Sequence, residues 1–139
     1  MIRETIGVVV FKDDEVLLVQ HTAKAGLPTG SYGLPAGERK NKESGVSAGR
    51  REFGQETGYR TRNIYLTELP TSYSAVIMRK GIEVLMTMKV FYCRKFTGIL
   101  KSSRETIPCW IKIDTLSQIN LLPNVLAAIN EALDLKNQN

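Results

Sequence analysis

The chain has 139 residues, of which 42% are hydrophobic and 24% are charged. This length predicts one domain whose core needs no disulfide or metal to hold it, and the balanced composition excludes collagen-like, coiled-coil and disordered chains. The 19 basic and 14 acidic residues give a net charge of +5, which favours anionic ligands without choosing among them.

The sequence shows no targeting or redox signal. No apolar run approaches the ~20 residues that cross a bilayer, and the first five residues contain no hydrophobic signal-peptide region. The two cysteines, Cys93 and Cys109, stand apart from each other and from the single histidine, so we predict free buried thiols and no zinc site. We therefore expect a cytoplasmic protein with no membrane partner.

Apolar, β-branched runs open the chain. Residues 5–11 and 15–20 predict a β-hairpin, and the continuous run Val8-Val9-Val10 predicts a strand that is covered on both faces. Residues 21–33 are rich in glycine and proline, which predicts a long loop with a short strand near Tyr32.

A helix is predicted over residues 44–57, with Ser44 as N-cap and Gly58 just past its end. Three internal glycines oppose this helix, each at a cost of roughly 1 kcal/mol relative to alanine; they are Gly45, Gly49 and Gly54. The helix therefore needs tertiary contacts or a function to justify it.

The second half of the chain reads mainly as strands. Candidates lie at residues 63–69, 75–78, 82–96 and 108–113. An amphipathic helix is predicted over residues 123–135, with a proline in its first turn. This order predicts the α/β (α+β) class, with a mixed sheet between helical layers. Since no repeat or linker divides the chain, residues 1–139 are expected to form a single domain.

One face of the predicted central helix carries oxygen ligands. At about 100° per residue, Glu52, Gln55 and Glu56 share that face. Carboxylates at i and i+4 repel each other unless a cation lies between them, and hard oxygen ligands suit magnesium or manganese. Small residues on or beside this face predict room for another backbone, a metal and a phosphate; they are Gly45, Ala48 and Gly49. A surface helix with ordinary acidic residues is the alternative.

The spacing around this helix follows a longer pattern. From Gly37, five residues lead to Glu43, seven to Arg51-Glu52-Phe53, one to Gln55-Glu56 and one to Gly58-Tyr59. The pattern closely resembles the Nudix box, and residues 32–37 resemble its aromatic-x-Leu-Pro-Gly-Gly lead-in. The resemblance implies an α/β/α sandwich with a mixed sheet. It also implies a pyrophosphohydrolase that uses a divalent cation, and water as the attacking group, to hydrolyse a nucleoside diphosphate linked to another moiety.

The resemblance also implies roles for particular residues. Glu52, Glu56 and the backbone carbonyl of Gly37 are expected to bind Mg²⁺ or Mn²⁺. Glu43 and Arg51 are expected to brace the loop against the helix, and a bidentate Arg–carboxylate pair fixes such geometry.

The chain departs from the family at Gln55, which stands where the first glutamate of a Glu-Glu pair is usual. Glutamine offers a neutral oxygen, but it cannot supply negative charge or act as a general base. Many family members place an additional glutamate before the tryptophan strand. Glu105, five residues before Trp110, is therefore a candidate metal ligand or base, with an ordinary loop glutamate as the alternative. If Gln55 weakens catalysis, the chain is a nucleotide-binding or regulatory module.

The substrate side is less determined. Tyr32 is a candidate for stacking on a base, and Arg39 is a candidate for binding phosphate. Arg60 and Arg62 flank the box and could also bind phosphate, with solvated surface charge as the alternative. His21 is expected at the surface or in packing. The default substrate is a nucleoside triphosphate or similar small nucleotide. No specific nucleic acid is expected, because no aromatic-interleaved basic motif is present, and a homodimer is left open.

Overall fold

Ten strands and two α-helices account for most of residues 2–22 and 30–138, which are the residues that the computed structural model describes. The strands are β1 (Ile2–Lys12), β2 (Glu15–His21), β3 (Tyr32–Gly33), β4 (Ala36–Glu38), β5 (Tyr59–Arg60), β6 (Leu66–Glu68), β7 (Tyr73–Arg79), β8 (Ile82–Cys93), β9 (Thr97–Gly98) and β10 (Thr106–Lys112). The helices are α1 (Gly45–Thr57) and α2 (Val125–Lys136). Most of the predicted long loop, residues 23–29, lies outside the described residues.

Strand β1 is the centre of the main sheet. It runs parallel to β8 and antiparallel to β2 and β4. The strand order is β10-β2-β1-β8-β6, with β3, β4 and β7 attached to β2, β1 and β8 respectively. The predicted hairpin and the mixed sheet are thus confirmed, and β5 with β9 forms a separate two-stranded ribbon.

The two helices cover opposite faces of this sheet. Val8 and Val10 pack with Phe53 of α1, whereas Val9, between them on the strand, packs with Ile129 of α2. Successive side chains of a strand point to opposite faces, so the apolar run places buried side chains against both α1 and α2. All three valines are at most 1% exposed, which confirms that this strand is covered on both sides.

The predicted ends of α1 are confirmed. The Ser44 hydroxyl accepts a hydrogen bond from the Ser47 N–H at 3.1 Å. Gly58 closes the helix with φ 83°, a left-handed conformation that glycine adopts without strain. Its N–H donates to the Gly54 carbonyl.

The small residues of α1 face the sheet. A Cβ on Gly49 would lie 3.3 Å from Cγ2 of Ile6, and one on Gly45 would lie 3.7 Å from the Phe91 ring. Ala48 belongs to the same buried cluster as Ile6 and Phe91. The predicted room for another backbone is therefore used by β1 and β8, and these contacts leave no room for a metal and a phosphate between the helix and the sheet. The small residues let the helix approach the sheet closely, and that contact offsets the poor helix propensity of the two glycines.

Two predicted elements start later than expected. Residues 63–65 form a 3₁₀ turn before the short strand β6. Helix α2 begins at Val125, because Asn124 takes a left-handed φ of 70° and leaves Pro123 outside the helix. Asparagine tolerates that conformation better than most residues, so the chain turns there before the helix can start.

The cysteines are both free, Cys93 buried and Cys109 partly buried. No helix within the described ranges is long and apolar enough to span a membrane.

Candidate active site

Four carboxylates line a pocket of about 320 Å³ beside α1. Glu38 of β4 is one of them and forms an ion pair with Arg3. Glu52 and Glu56 come from the helix, and Glu105 comes from the loop before β10. The rest of the lining includes residues from β1, β2, β4 and β7, among them Arg3, His21, Gly37 and Arg79. The box residues therefore share one site with segments that are distant in the chain, namely β1, β2, β7, β8 and the loop before β10.

The Glu52 carboxylate lies directly against Gly37 of β4, where a Cβ would collide with it. Glycine at this position is what allows the helix side chain to reach past the strand. The Glu52 side chain is only 14% exposed and accepts a hydrogen bond from Arg51. The backbone of Gly37 and the carboxylate of Glu52 are thus adjacent, as expected of two groups that would share a cation.

Glu56 is fixed by the strand next to it. Its Oε1 accepts a hydrogen bond from the Ala36 N–H at 2.7 Å. The pKa of Glu56 is raised to about 8, chiefly by burial and to a smaller extent by the nearby charges of Glu52 and Glu105, against the opposing effect of the Ala36 hydrogen bond. In this pocket the neutral form of Glu56 is therefore favoured unless a cation lies beside it.

The expected brace is present. Arg51 donates to both carboxylate oxygens of Glu43, from Nε at 2.8 Å and from Nη2 at 2.9 Å. Nη2 also donates to the Glu38 carbonyl at 2.9 Å. The Arg51 hydrogen bonds hold the pKa of Glu43 down at about 2. This fork ties the loop and β4 to the helix that carries Glu52.

Glu105 reaches the pocket because its loop is fastened to the end of β2. The Glu105 carbonyl accepts hydrogen bonds from the Thr22 N–H at 3.0 Å and the Thr22 hydroxyl at 3.2 Å. Its exposed carboxylate then lies at the rim, near enough to Glu56 to influence its pKa.

Three candidate residues lie away from the lining of this pocket. Gln55 is exposed, with its Oε1 3.4 Å from Nη1 of Arg51. Arg39 pairs with Glu4 at 2.8 Å beside a larger groove of about 470 Å³, whose lining includes neither Glu52 nor Glu56. Tyr32 packs against the core beneath α2. The metal role of Gln55 and the substrate roles of Tyr32 and Arg39 stay predictions.

His21 is a pocket residue that sequence reasoning placed at the surface or in packing. It is 8% exposed, and its Nδ1 lies 3.3 Å from the Ser31 carbonyl. Burial lowers its pKa, so the ring is neutral near pH 7. With Nδ1 as the donor, Nε2 is an acceptor. The signal available in the sequence was its place at the end of a strand, next to a glycine-rich loop.

The donor set fits a divalent cation by its chemistry. Carboxylate and carbonyl oxygens are hard ligands of the kind that magnesium and manganese prefer. A cation beside Glu56 would favour its charged form and so lower the pKa that burial has raised. Within residues 2–22 and 30–138, however, no three His, Cys, Asp or Glu side chains are already arranged around a common metal position. Glu52, Glu56 and the Gly37 carbonyl are the groups that could hold the ion.

Comparison with known proteins decides the family. The model of the NUDIX domain family matches residues 1–131. The chain belongs to the Nudix family. This membership confirms the predicted class of enzyme, a Nudix-type pyrophosphohydrolase, and the fold expected for it. No curated protein sequence matches the chain.

Solved Nudix structures resemble the chain over most of its length. A MutT NUDIX hydrolase from Burkholderia pseudomallei matches with a TM-score of 0.77 and 22% identity, over 94% of this chain and 98% of the other. The NUDIX domain of Shewanella oneidensis NrtR, complexed with ADP ribose, gives 0.73 and 19%, over 98% and 89%. A Francisella tularensis bifunctional NMN adenylyltransferase/ADP ribose pyrophosphatase, complexed with AMP and a Mn ion, gives 0.70 and 17%, over 97% and 42%. These likenesses show a shared fold.

Proposed function

We propose that this Nudix protein hydrolyses a nucleoside diphosphate linked to another moiety, with Mg²⁺ or Mn²⁺ as cofactor. Water attacks one phosphorus of the diphosphate, the bridging P–O bond breaks, and the displaced phosphate leaves with the bridging oxygen. The observation that carries the proposal is the convergence of Glu52, Glu56 and Glu105 with Gly37 in one pocket. We further propose that residues 1–139 act as one domain.

The metal ligands and the brace have separate parts in this proposal. Glu52, Glu56 and the Gly37 carbonyl would hold the cation, which when bound neutralises the diphosphate and acidifies water. Arg51 keeps Glu52 in place through the fork that it shares with Glu43. Positioning and charge neutralisation supply most of the gain in phosphoryl transfer, so a rigid brace matters as much as the ligands.

Glu105 is our candidate for the group that accepts the proton of the attacking water. Its carboxylate is exposed at the rim of the pocket and comes from a loop rather than from the helix that carries Glu52 and Glu56. Gln55 cannot take this role, because an amide is not a general base.

The substrate that we propose is a nucleoside triphosphate or similar small nucleotide. A pocket of about 320 Å³ suits a molecule of that size. Arg79 supplies positive charge within the lining, whereas the charge of Arg3 is paired with Glu38. Part of the phosphate charge can therefore be met by Arg79 itself. The ADP ribose and AMP complexes of the Shewanella and Francisella proteins support a nucleotide ligand.

The test is a panel of nucleotides assayed for phosphate products with Mg²⁺ or Mn²⁺. We expect turnover of at least one nucleotide, and we expect Glu56→Gln to abolish it because the variant removes a charged ligand. Glu83→Gln is the matched control, since Glu83 is an exposed carboxylate on β8 outside the pocket lining. Equal activity in the two variants would contradict the assignment of Glu56.

The second candidate is a nucleotide-binding or regulatory module with weak catalysis. The position of Gln55, exposed and beside Arg51, favours it, because this side chain brings no charge to the pocket. Nucleotide binding without turnover across the panel would support the module. A large gain of activity in Gln55→Glu would show that the missing carboxylate is the cause.

A further inference from the structure

A basic surface lies on another flank of α1, outside the lining of the candidate active site. It is formed by five exposed cations: Arg50, Arg60, Arg62, Arg94 and Lys95. The two chain segments that supply most of them, residues 58–66 and 93–104, contain no aspartate or glutamate. Across the described part of the chain, none of the five forms an ion pair with a carboxylate.

Neutral groups hold two of these arginines in place. Arg50 donates from Nε to the Thr61 carbonyl at 3.1 Å and from Nη1 to the Asn63 side-chain oxygen at 3.0 Å. Arg94 donates from Nη2 to the Ile64 carbonyl at 3.2 Å. Such hydrogen bonds orient a guanidinium but leave its charge uncompensated. The arginines are therefore positioned for a further, anionic partner.

Two cations share one aromatic ring. The Arg94 guanidinium carbon lies 4.8 Å from the Tyr65 ring centroid, and the Lys95 nitrogen lies 5.4 Å from it. Each contact is an attractive cation–π interaction, yet it brings two like charges close together. An anion beside Tyr65 would relieve that repulsion.

The surface is shaped as two joined depressions, which we call the basic trough. One, of about 260 Å³, is lined by Arg60, Arg62 and Lys95 among others. The other, of about 290 Å³, includes Arg50, and both include Arg60 and Thr61. Since the cations are spread along an open trough rather than gathered in a closed cavity, they suit a chain of successive phosphates better than one compact anion.

We propose that the basic trough binds the phosphodiester backbone of single-stranded nucleic acid, independently of base sequence. Phosphate contacts give affinity without reading sequence. No free aromatic platform is evident for stacking bases, because Arg94 and Lys95 cover Tyr65, and Phe96 packs against Tyr59 and Trp110. Depressions of this size admit one strand, whereas a duplex presents a broad convex surface.

The experiment measures the anisotropy of a labelled oligo(dT) of about 20 nucleotides, a length that spans one binding site of this kind. Wild-type protein is compared with Arg62→Glu/Lys95→Glu and with the control Lys12→Glu/Lys136→Glu. Both variants lower the net charge equally, but the control residues lie at the end of β1 and the end of α2. Nucleotide hydrolysis, measured in parallel, reports on the candidate active site alone.

We expect the wild-type affinity to fall with salt at a log–log slope of roughly −0.7 for each phosphate contacted, and so to reach about −2 or steeper. The trough variant should bind at least about tenfold more weakly, as expected when two of these contacts are lost. The control should keep wild-type affinity, and all three proteins should hydrolyse nucleotides at the same rate, with circular dichroism confirming that each is folded.

Four outcomes would overturn the proposal. They are no binding of oligo(dT) by wild-type protein, equal weakening in the two variants, tighter binding of a duplex, and binding of inorganic polyphosphate without binding of oligo(dT). Each leaves the proposed hydrolysis untouched, because that reaction is read from a separate assay.

Discussion

The pocket and the basic trough lie against the same helix, and they differ in whether the arginine beside them is paired with carboxylates. Arg51, which braces the pocket and borders one depression of the trough, donates to the carboxylates of Glu43 and Glu52 and to the Glu38 carbonyl. At the trough, the neighbouring Arg50 bonds only to neutral oxygens. The two arginines are adjacent in sequence, yet only Arg51 is paired with carboxylates. The net charge of +5 is a sum over the whole chain and does not show this difference. The carboxylates gather at the pocket, to which we assign the anionic substrate.

The strongest way to disrupt the acidic side alone is Gly37→Ala. The new methyl group would collide with the Glu52 carboxylate and push it from its position. A displacement of about 1 Å can lower a rate about 100-fold, so we expect at least that loss in kcat/KM while oligonucleotide binding is unchanged.

Gly54→Ala is the control for Gly37→Ala. A Cβ at Gly54 would meet only the Tyr59 carbonyl, at 3.5 Å, and it should stabilise the helix by roughly 1 kcal/mol. Retained activity in Gly37→Ala would mean that the adjacency of Gly37 and Glu52 has no role in the reaction.

The two neighbouring arginines give a matched pair. Lysine keeps the charge but cannot form the bidentate fork, so Arg51→Lys should lower hydrolysis about tenfold, equivalent to one charge-assisted hydrogen bond. Arg50→Lys should leave hydrolysis unchanged and slightly weaken oligonucleotide binding. Measuring both activities in both variants checks this contrast, and parallel losses in the two variants would remove it.

The smallest effect is expected from acid. The pKa of Glu43 falls from an ordinary 4.5 to about 2 in the folded chain. The unfolded chain therefore takes up its proton first, and the stabilisation, present above pH 4.5, is lost as the pH falls from 4.5 towards 2. Thermal unfolding from pH 6 to pH 3 should show a shallower fall of Tm in Glu43→Gln than in the wild type. Identical slopes would mean that the fork contributes nothing to stability.

The sequence predicted the parts of the site that one short segment encodes. Helix α1 and its caps follow from Ser44, Gly58 and the residues between them, and the fork between Glu43 and Arg51 is what the resemblance to the Nudix box implies. His21, Arg3 and Arg79 could not be found this way. They reach the pocket through the pairing of strands that are distant in sequence, and no local pattern specifies which strands pair. A helical wheel likewise gives the angular position of Gly49 around the helix axis, but it does not show which side of the helix packs against the sheet.

The trough escaped prediction for a related reason. Arg60 and Arg62 were visible beside the box, but Arg94 and Lys95 join them only because the end of β8 runs back past Tyr65. Clustered charge of this kind arises from tertiary contacts rather than from a run of residues.

Strand β4 has only three residues, yet the Ala36 N–H holds Glu56 and Gly37 lies against Glu52. Its register with β1 therefore sets the positions of both carboxylates. Short edge segments open locally well below the temperature of global unfolding. On heating, the enzyme should therefore become inactive while its core is still intact, so the temperature at which activity ends measures the fraying of one small strand rather than the melting of the fold.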